Sequence, residues 1–334
     1  MADSLRSSGA LVEFVGAESG IEQSLVPQAG FKLHSLSLKG LAGNPIARAY
    51  ATTLFLRAIR SCRHIIQNFE PGAVLGVGGY ASAPAVLAAR SLGIPTFLHE
   101  QNSVPGRVNR FASRLTREVL VTFPGAREHL RDAVWVGMPT RREFFGVSRE
   151  EASKELGLEG PVVLIFGGSG GALKINRAAA EAFQGDTPYT VVQISGRRDF
   201  PKLSTDNPRH RILEYVDDIW RYLAAADLVV IRSGAGSLFD TAAAGRAAIL
   251  IPFPFATGDH QLHNARYFTE RGAAELMLDA EVNARTLRER IEDLLNDDER
   301  RDQFAARMGG LATPGAAEEV AGRLLAATRG DRRQ

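Results

Sequence analysis

Val162-Val163-Leu164-Ile165-Phe166 runs straight into Gly167-Gly168-Ser169-Gly170-Gly171-Ala172, and this stretch decides how the chain is read. Five consecutive apolar residues, two of them β-branched valines and one an isoleucine, predict a strand buried on both faces. The glycines predict a tight turn leading into a helix. Such a unit sets helix N–H groups at the strand's carboxyl end, where they cradle a diphosphate, with Ser169 adding a hydroxyl donor. No Lys-Ser or Lys-Thr pair closes the turn, which disfavours a Walker site and ATP hydrolysis.

Similar apolar runs lie on both sides. Downstream are Thr190–Ile194, Ile212–Val216, Asp227–Ile231, Ala248–Ile251 and Ala273–Leu278; upstream are Leu11–Val15, Ala73–Val77, Pro95–Leu98 and Val119–Val121. Helical stretches separate most of them, the pattern of parallel sheets covered by helices on both faces. There are too many units for one doubly wound sheet. The expectation is an α/β chain of two Rossmann-like domains, residues 1–140 and 141–314, followed by a charged, alanine-rich helix. Ser148–Leu158 reads as a helix near the join, ended by the turn signal Gly160-Pro161.

Composition narrows the class. The 334 residues are 45% hydrophobic with a net charge of +2, which excludes intrinsic disorder. Cys62 is the single cysteine, so no disulfide scaffold exists and a reducing compartment is expected. No apolar run is long enough to span a bilayer, and Met1-Ala2-Asp3-Ser4-Leu5-Arg6 lacks the features of a signal peptide. The charge balance names no nucleic-acid partner.

Two further glycine turns follow predicted strands. Gly76-Val77-Gly78-Gly79-Tyr80 precedes a helix from about Ser82, and Ser233-Gly234-Ala235-Gly236-Ser237 precedes one that carries Asp240 in its first turn. An acid so placed accepts hydrogen bonds from ribose hydroxyls or simply complements the helix dipole. Three such turns at strand ends, spread over two domains, point to a nucleotide. His99-Glu100-Gln101-Asn102 and Asp259-His260-Gln261 add polar side chains at the ends of regular elements. The seven histidines show no His-x-x-x-His pair and no Asp-x-Asp occurs, so no metal site is expected.

Asn44 caps and Pro45 opens a helix running to about Phe69, with Phe55, Ala58, Ile59, Cys62, Ile65, Ile66 and Phe69 on its core side. Ile46, Tyr50 and Leu54 are expected opposite, beside Arg57, Arg60 and His64. An apolar strip rimmed by cations is how a helix rests on an anionic bilayer. The start of the first domain departs from its plan: Ala2–Arg6 reads as the tail of a helix, so Leu11–Val15 is second in strand order, and a first strand with its phosphate loop has no residues.

Gly76–Pro84, His99–Asn102, Gly167–Ala172, Arg232–Ser237 and Asp259–Gln261, in this order, resemble the motifs of the MurG family, N-acetylglucosaminyltransferases that convert lipid I to lipid II in peptidoglycan synthesis. The resemblance implies a GT-B fold, two Rossmann-like domains facing across a cleft, the C-terminal helix packing back on the first. UDP-N-acetylglucosamine and undecaprenyl-linked lipid I are the implied substrates, with no cofactor. The implied place is the cytoplasmic side of the cell membrane, peripherally, on its anionic surface. By position, Asn102 and Gln261 contact the donor sugar, and Arg141 and Ser169 hold the diphosphate. The backbone near Val216 meets uracil. Ala235, Gly236, Ser237 and Asp240 line the nucleotide, and Gly76, Gly78, Gly79 and Tyr80 face the acceptor diphosphate. The family usually has Glu at the Asp240 position. Its N-terminal Gly-Gly-Thr-Gly-Gly-His loop has no counterpart, so the catalytic base is unassigned, Glu100 and His260 being the ionisable groups near the motifs. The expectation is a start upstream of Met1 that supplies the loop in frame. The alternatives are a catalytically silent nucleotide-sugar-binding protein and a related lipid glycosyltransferase.

Overall fold

Val162–Phe166 is buried at every position and forms a strand, β7, at the heart of the larger sheet of a computed structural model that describes residues 1–38, 44–168 and 172–330. The chain divides into two compact units, Thr140–Pro314 and Met1–Pro139 with Gly315–Gln334. Among the described residues no helix is long and apolar enough to cross a membrane.

In the Thr140–Pro314 unit the elements follow as α6 (Arg149–Leu156), β7, α7 (Leu173–Ala182), β8 (Thr190–Ile194), β9 (His210–Leu213), α8 (Ile219–Ala225), β10 (Leu228–Ile231), α9 (Ala235–Ala244), β11 (Ala247–Leu250), α10 (His260–Thr269), β12 (Glu275–Leu276), α11 (Ala284–Leu295) and α12 (Asp298–Gly310). All strands pair in parallel in the order β12-β11-β10-β7-β8-β9. Strand order reverses at β7, which lies between β8 and β10. Ligands of open α/β sheets bind beyond the carboxyl ends of strands at such a switch point. Local chemistry sets the helix ends: Ser148 Oγ accepts from Glu151 N to cap α6, and Gly157 closes it in the left-handed conformation. One core joins Val163, Ile165, Val191, Leu228, Val230 and Ile249 to Ile175, Leu287 and Ile291 of the covering helices.

The other unit contains α1 (Ala2–Ser7), β1 (Glu13–Ala17), α2 (Glu22–Gln28), β2 (Lys32–Leu36), α3 (Pro45–Phe69), β3 (Val74–Gly76), α4 (Gly79–Ser91), β4 (Thr96–Glu100), α5 (Arg107–Ala112), β5 (Glu118–Val121), β6 (Ala133–Trp135) and α13 (Ala316–Gly330). Its strands form a parallel pair, β1-β2, and a separate parallel sheet, β3-β4-β5-β6. Helices supply the shared core: Leu36 of β2 clusters with Ala58, Cys62 and Ile66 of α3 and with Ala88 and Ala89 of α4, while Val15 and Val74 pack at its edge. Val320, Leu324 and Ala327 of α13 cluster with Phe97 and Leu120, and Arg323 Nη1 meets Glu118 Oε1 at 2.5 Å.

Several boundaries move. β4 continues to Glu100, so His99 and Glu100 belong to the strand. β9 ends at Leu213, leaving Val216 in the connection to α8. α4 begins at Gly79 rather than Ser82, and α9 begins at Ala235, which puts Asp240 in its second turn. On α3, Leu54 is 9% exposed and falls in the buried stripe Ala51-Leu54-Ala58-Cys62-Ile66, not on the opposite face. Its spacing of three and four residues from Ala51 and Ala58 puts it there. Tyr50, Arg57, Arg60 and His64 are exposed, and Leu56 is the exposed aliphatic residue among them; the side chain of Ile46 lies outside the described residues.

Candidate functional site

The two glycine turns of the Thr140–Pro314 unit follow β7 and β10, the adjacent strands at the switch point. Gly167 is dictated by close approach, since a Cβ there would lie 2.2 Å from the Cβ of Ala172. Ser169 lies outside the described residues. After β10, Ser233 is fully buried and Gly234 leads into α9, whose first turn is Ala235-Gly236-Ser237. First-turn N–H groups have no partner within a helix and carry the positive end of its dipole, a site suited to phosphate oxygens.

Asp240 lies three residues beyond Ser237 on α9, on the same side of the helix. Burial pushes its carboxyl up to about 7, and the nearby Arg141 guanidinium pulls in the opposite direction. Arg141 is exposed and sits 5.0 Å over the Phe144 ring. A cation and a carboxyl that share one field beside a helix start suit a nucleotide, the cation for phosphate and the carboxylate for ribose hydroxyls. Val216 is half-buried in the β9–α8 connection.

Gln261, in the first turn of α10, accepts from Phe253 N on Oε1 at 2.9 Å and so ties α10 to the loop that precedes it. That bond fixes the side-chain amide, so the Nε2 donor end is turned away from Phe253 N. Phe253 and Phe255 are exposed and stack edge-to-face at 5.6 Å. His260 opens α10 with its Nδ1 2.9 Å from the Thr257 carbonyl.

In the other unit Glu100 is 1% exposed and its carboxylate is used structurally. Oε1 accepts from Asn102 N (2.9 Å) and Asn102 Nδ2 (3.4 Å), and Oε2 from Asn109 Nδ2 (2.6 Å) and Gly106 N (3.3 Å). Four donors on one carboxylate tie the segment after β4 to the first turn of α5. His99 is fully buried, held down to about 4 by desolvation and donating from Nε2 to the Gly137 carbonyl at 3.2 Å, hence neutral near pH 7. Gly78 adopts φ +86° as the cap of α4, and a Cβ there would stand 3.0 Å from Asn109 Nδ2. Tyr80 lies in the first turn of α4, its ring 5.4 Å from Phe55 of α3 and its hydroxyl buried. The Gly76–Tyr80 segment is therefore a strand end and a helix start, not one open loop. Asn109 and its bond to Glu100 escaped the sequence reading; an Asn three residues past Gly106 carries no signal of its own.

Comparison with known proteins places this geometry. Residues 1–121 match the glycosyltransferase family 28 N-terminal domain and residues 162–320 its C-terminal domain. The crystal structure of Acinetobacter baumannii MurG matches with a TM-score of 0.75 at 27% identity, covering 97% of this chain and 93% of that one. A Rubrobacter xylanophilus protein is 68% identical over 98% of this chain and 99% of its own length. It is named UDP-N-acetylglucosamine–N-acetylmuramyl-(pentapeptide) pyrophosphoryl-undecaprenol N-acetylglucosamine transferase. The chain belongs to the MurG family. A protein of the same name from Acidithiobacillus ferrooxidans is 39% identical over 96% of this chain and 91% of its own length. MurG membership makes the chain a hexosyltransferase with the two-domain α/β GT-B fold.

Proposed function

We propose that this MurG-family chain transfers N-acetylglucosamine from UDP-N-acetylglucosamine to the muramyl sugar of lipid I, giving lipid II and UDP. The 68% identity along nearly the whole of the Rubrobacter enzyme carries this reading. The acceptor hydroxyl attacks the anomeric carbon, UDP leaves from the opposite face, and configuration inverts. Negative charge growing on the leaving diphosphate meets the N–H groups at the starts of α7 and α9, with Arg141 and Ser169 as further donors. Fixed dipoles aimed at developing charge are often the largest catalytic term.

Asp240 accepts from the ribose, Ala235, Gly236 and Ser237 line the nucleotide, the backbone at Val216 meets uracil, and Gln261 and Asn102 read the sugar. Gly76 at the end of β3 and Gly78 and Gly79 at the start of α4 face the acceptor diphosphate; Tyr80 supports them by packing on α3. Residues 1–140 form the acceptor side and 141–314 the donor side. The exposed Tyr50 and Leu56 with Arg57 and Arg60 rest on anionic lipid at the cytoplasmic face of the membrane.

The test is transfer of radiolabelled N-acetylglucosamine from its UDP donor to lipid I. Labelled lipid II is the expected product. Label on a diacylglycerol instead makes the chain a related lipid glycosyltransferase, and binding of the donor without transfer makes it a silent binding protein. Co-sedimentation with phosphatidylglycerol vesicles, reduced by Arg57→Ala with Arg60→Ala, tests the membrane face.

A further inference from the structure

Asp279 follows β12, where it meets cations from two other strand ends. Arg232, directly after β10, places Nη2 2.6 Å from Asp279 Oδ1, with the two side chains only 9% and 15% exposed. The same guanidinium donates from Nη1 to the carbonyls of Ile251 (3.3 Å) and Pro252 (3.1 Å) and lies 5.5 Å from the Phe253 ring centroid. Lys174, in the first turn of α7, donates to the Asp279 backbone carbonyl and reaches its carboxylate at 3.3 Å. Asp279 thus joins the helix start behind the β7 turn to the β10 turn, and through Arg232 to the head of the β11–α10 loop. From beyond that loop, Gln261 in the first turn of α10 holds Phe253 N.

We infer that Asp279 and Arg232 position the Pro252–Asp259 loop, and through Phe253 the Gln261 side chain of α10, for recognition of the donor sugar, with Lys174 anchoring the pair. This rests on the reading of Gln261 as a sugar contact. Neither residue touches the nucleotide in that reading; each acts through the loop. The physical reason is that a nearly dry carboxylate–guanidinium pair holds its geometry tightly, and removal of either charge leaves the other uncompensated. A misplacement of about 1 Å at a site is enough to lose one or two orders of magnitude in recognition or rate. Glu275 offers the contrast. It is also held by two arginines, Arg290 (2.5 Å) and Arg300 (2.6 Å), but these come from α11 and α12, away from the β11–α10 loop.

The experiment is titration calorimetry of UDP and of UDP-N-acetylglucosamine on the full chain, with thermal melting alongside. Asp279→Asn is expected to weaken UDP-N-acetylglucosamine on the order of tenfold. UDP alone is expected to weaken less, by under about threefold, because Asp279 reaches the α7 start and the β10 turn through single side chains but the sugar loop through the whole Arg232 fork, so the ratio of the two affinities still falls. Asp279→Glu is expected to recover part of the loss, and Glu275→Gln to lower the melting temperature while leaving the ratio of the two affinities at the wild-type value. An unchanged ratio in Asp279→Asn overturns the inference, as does an equal loss for both ligands. Should Asp279→Asn not fold, Lys174→Met, at a half-exposed side chain, carries the same test: the ratio is expected to fall about twofold to threefold, and a wild-type ratio overturns the inference. A wild-type chain that binds UDP but gains nothing from the sugar overturns the reading of the site itself.

Discussion

In the Thr140–Pro314 unit six parallel strands form one continuous sheet, and β7, β8, β10 and β11 are buried at every position. In the other unit the strands divide into a pair and a four-stranded sheet, and β1 buries only Gly16 fully. The first unit is held by its sheet, with helices as cover; in the second, α3 and α4 join what the ladders leave apart. The proposed nucleotide site follows the same division, because a continuous sheet with a switch point offers fixed strand ends on which to build one.

The largest expected effect lies in the helices that cover the continuous sheet. Phe239 is 1% exposed and packs edge-to-face on Phe268 at 5.5 Å, so Phe239→Ala should cost about 3–5 kcal/mol. Val15→Ala, at the margin of the α3–α4 core, should cost about 1 kcal/mol. The two tryptophans, Trp135 and Trp220, fall one in each unit, so urea unfolding of Trp220→Phe and Trp135→Phe backgrounds reports each unit separately. Equal costs in the two units would remove the distinction.

Asp240 gives the next effect, and its sign is unusual for an acid. Burial raises the folded carboxyl to about 7, above its unfolded range near 4, so the folded chain holds a proton that the unfolded chain releases. Stability therefore falls as pH rises between these values, and the full cost is present above pH 7. Asp240→Asn should be more stable than wild type by on the order of 2 kcal/mol at pH 8, with the gain gone by about pH 4. UDP affinity should move oppositely, lower in the variant, because the asparagine lacks the carboxylate's charge. Melting curves and calorimetry across that range decide it; a pH-independent difference in stability would contradict the assignment.

The strands of the continuous sheet were legible because burial on both faces makes uninterrupted apolar runs. Lys32–Leu36 and Ala133–Trp135 were missed for the converse reason: the first has two leucines among Lys32, His34 and Ser35 with no regular alternation, and the second is three residues long with Trp135 48% exposed. Leu54 was placed on the wrong side of α3 although it stands four residues before Ala58, which was read as core; the i, i+4 spacing itself puts both on one face. The strand-to-helix turns after β3 and β10 were readable from local pattern, as was the helix that opens at Asp259-His260-Gln261. The Arg232–Asp279 pair was not, since its members lie far apart in the chain and no local spacing links them, although Asp279 does follow a predicted strand. Arg141→Ala sharpens the division of labour next, with UDP affinity expected to fall roughly tenfold. Asn102→Ala, in the other unit, should leave UDP binding unaltered, and calorimetry on both reads the difference.

The smallest effect is the most discriminating. Cys62 is fully buried in the cluster that joins β2 to α3 and α4, and desolvation pushes its thiol up to about 12. A thiol in that state is reached by an alkylating agent only when the cluster opens, so the labelling rate in the absence of denaturant measures the opening free energy of the helical joint. Val15→Ala removes packing from the edge of that cluster and should raise the rate about fivefold, the factor that corresponds to about 1 kcal/mol. Phe239→Ala, despite its larger cost, acts on the other core and should leave the Cys62 rate at its wild-type value. If it speeds Cys62 as well, the two units open together, and the sheet-held half is then also holding the helix-held half closed.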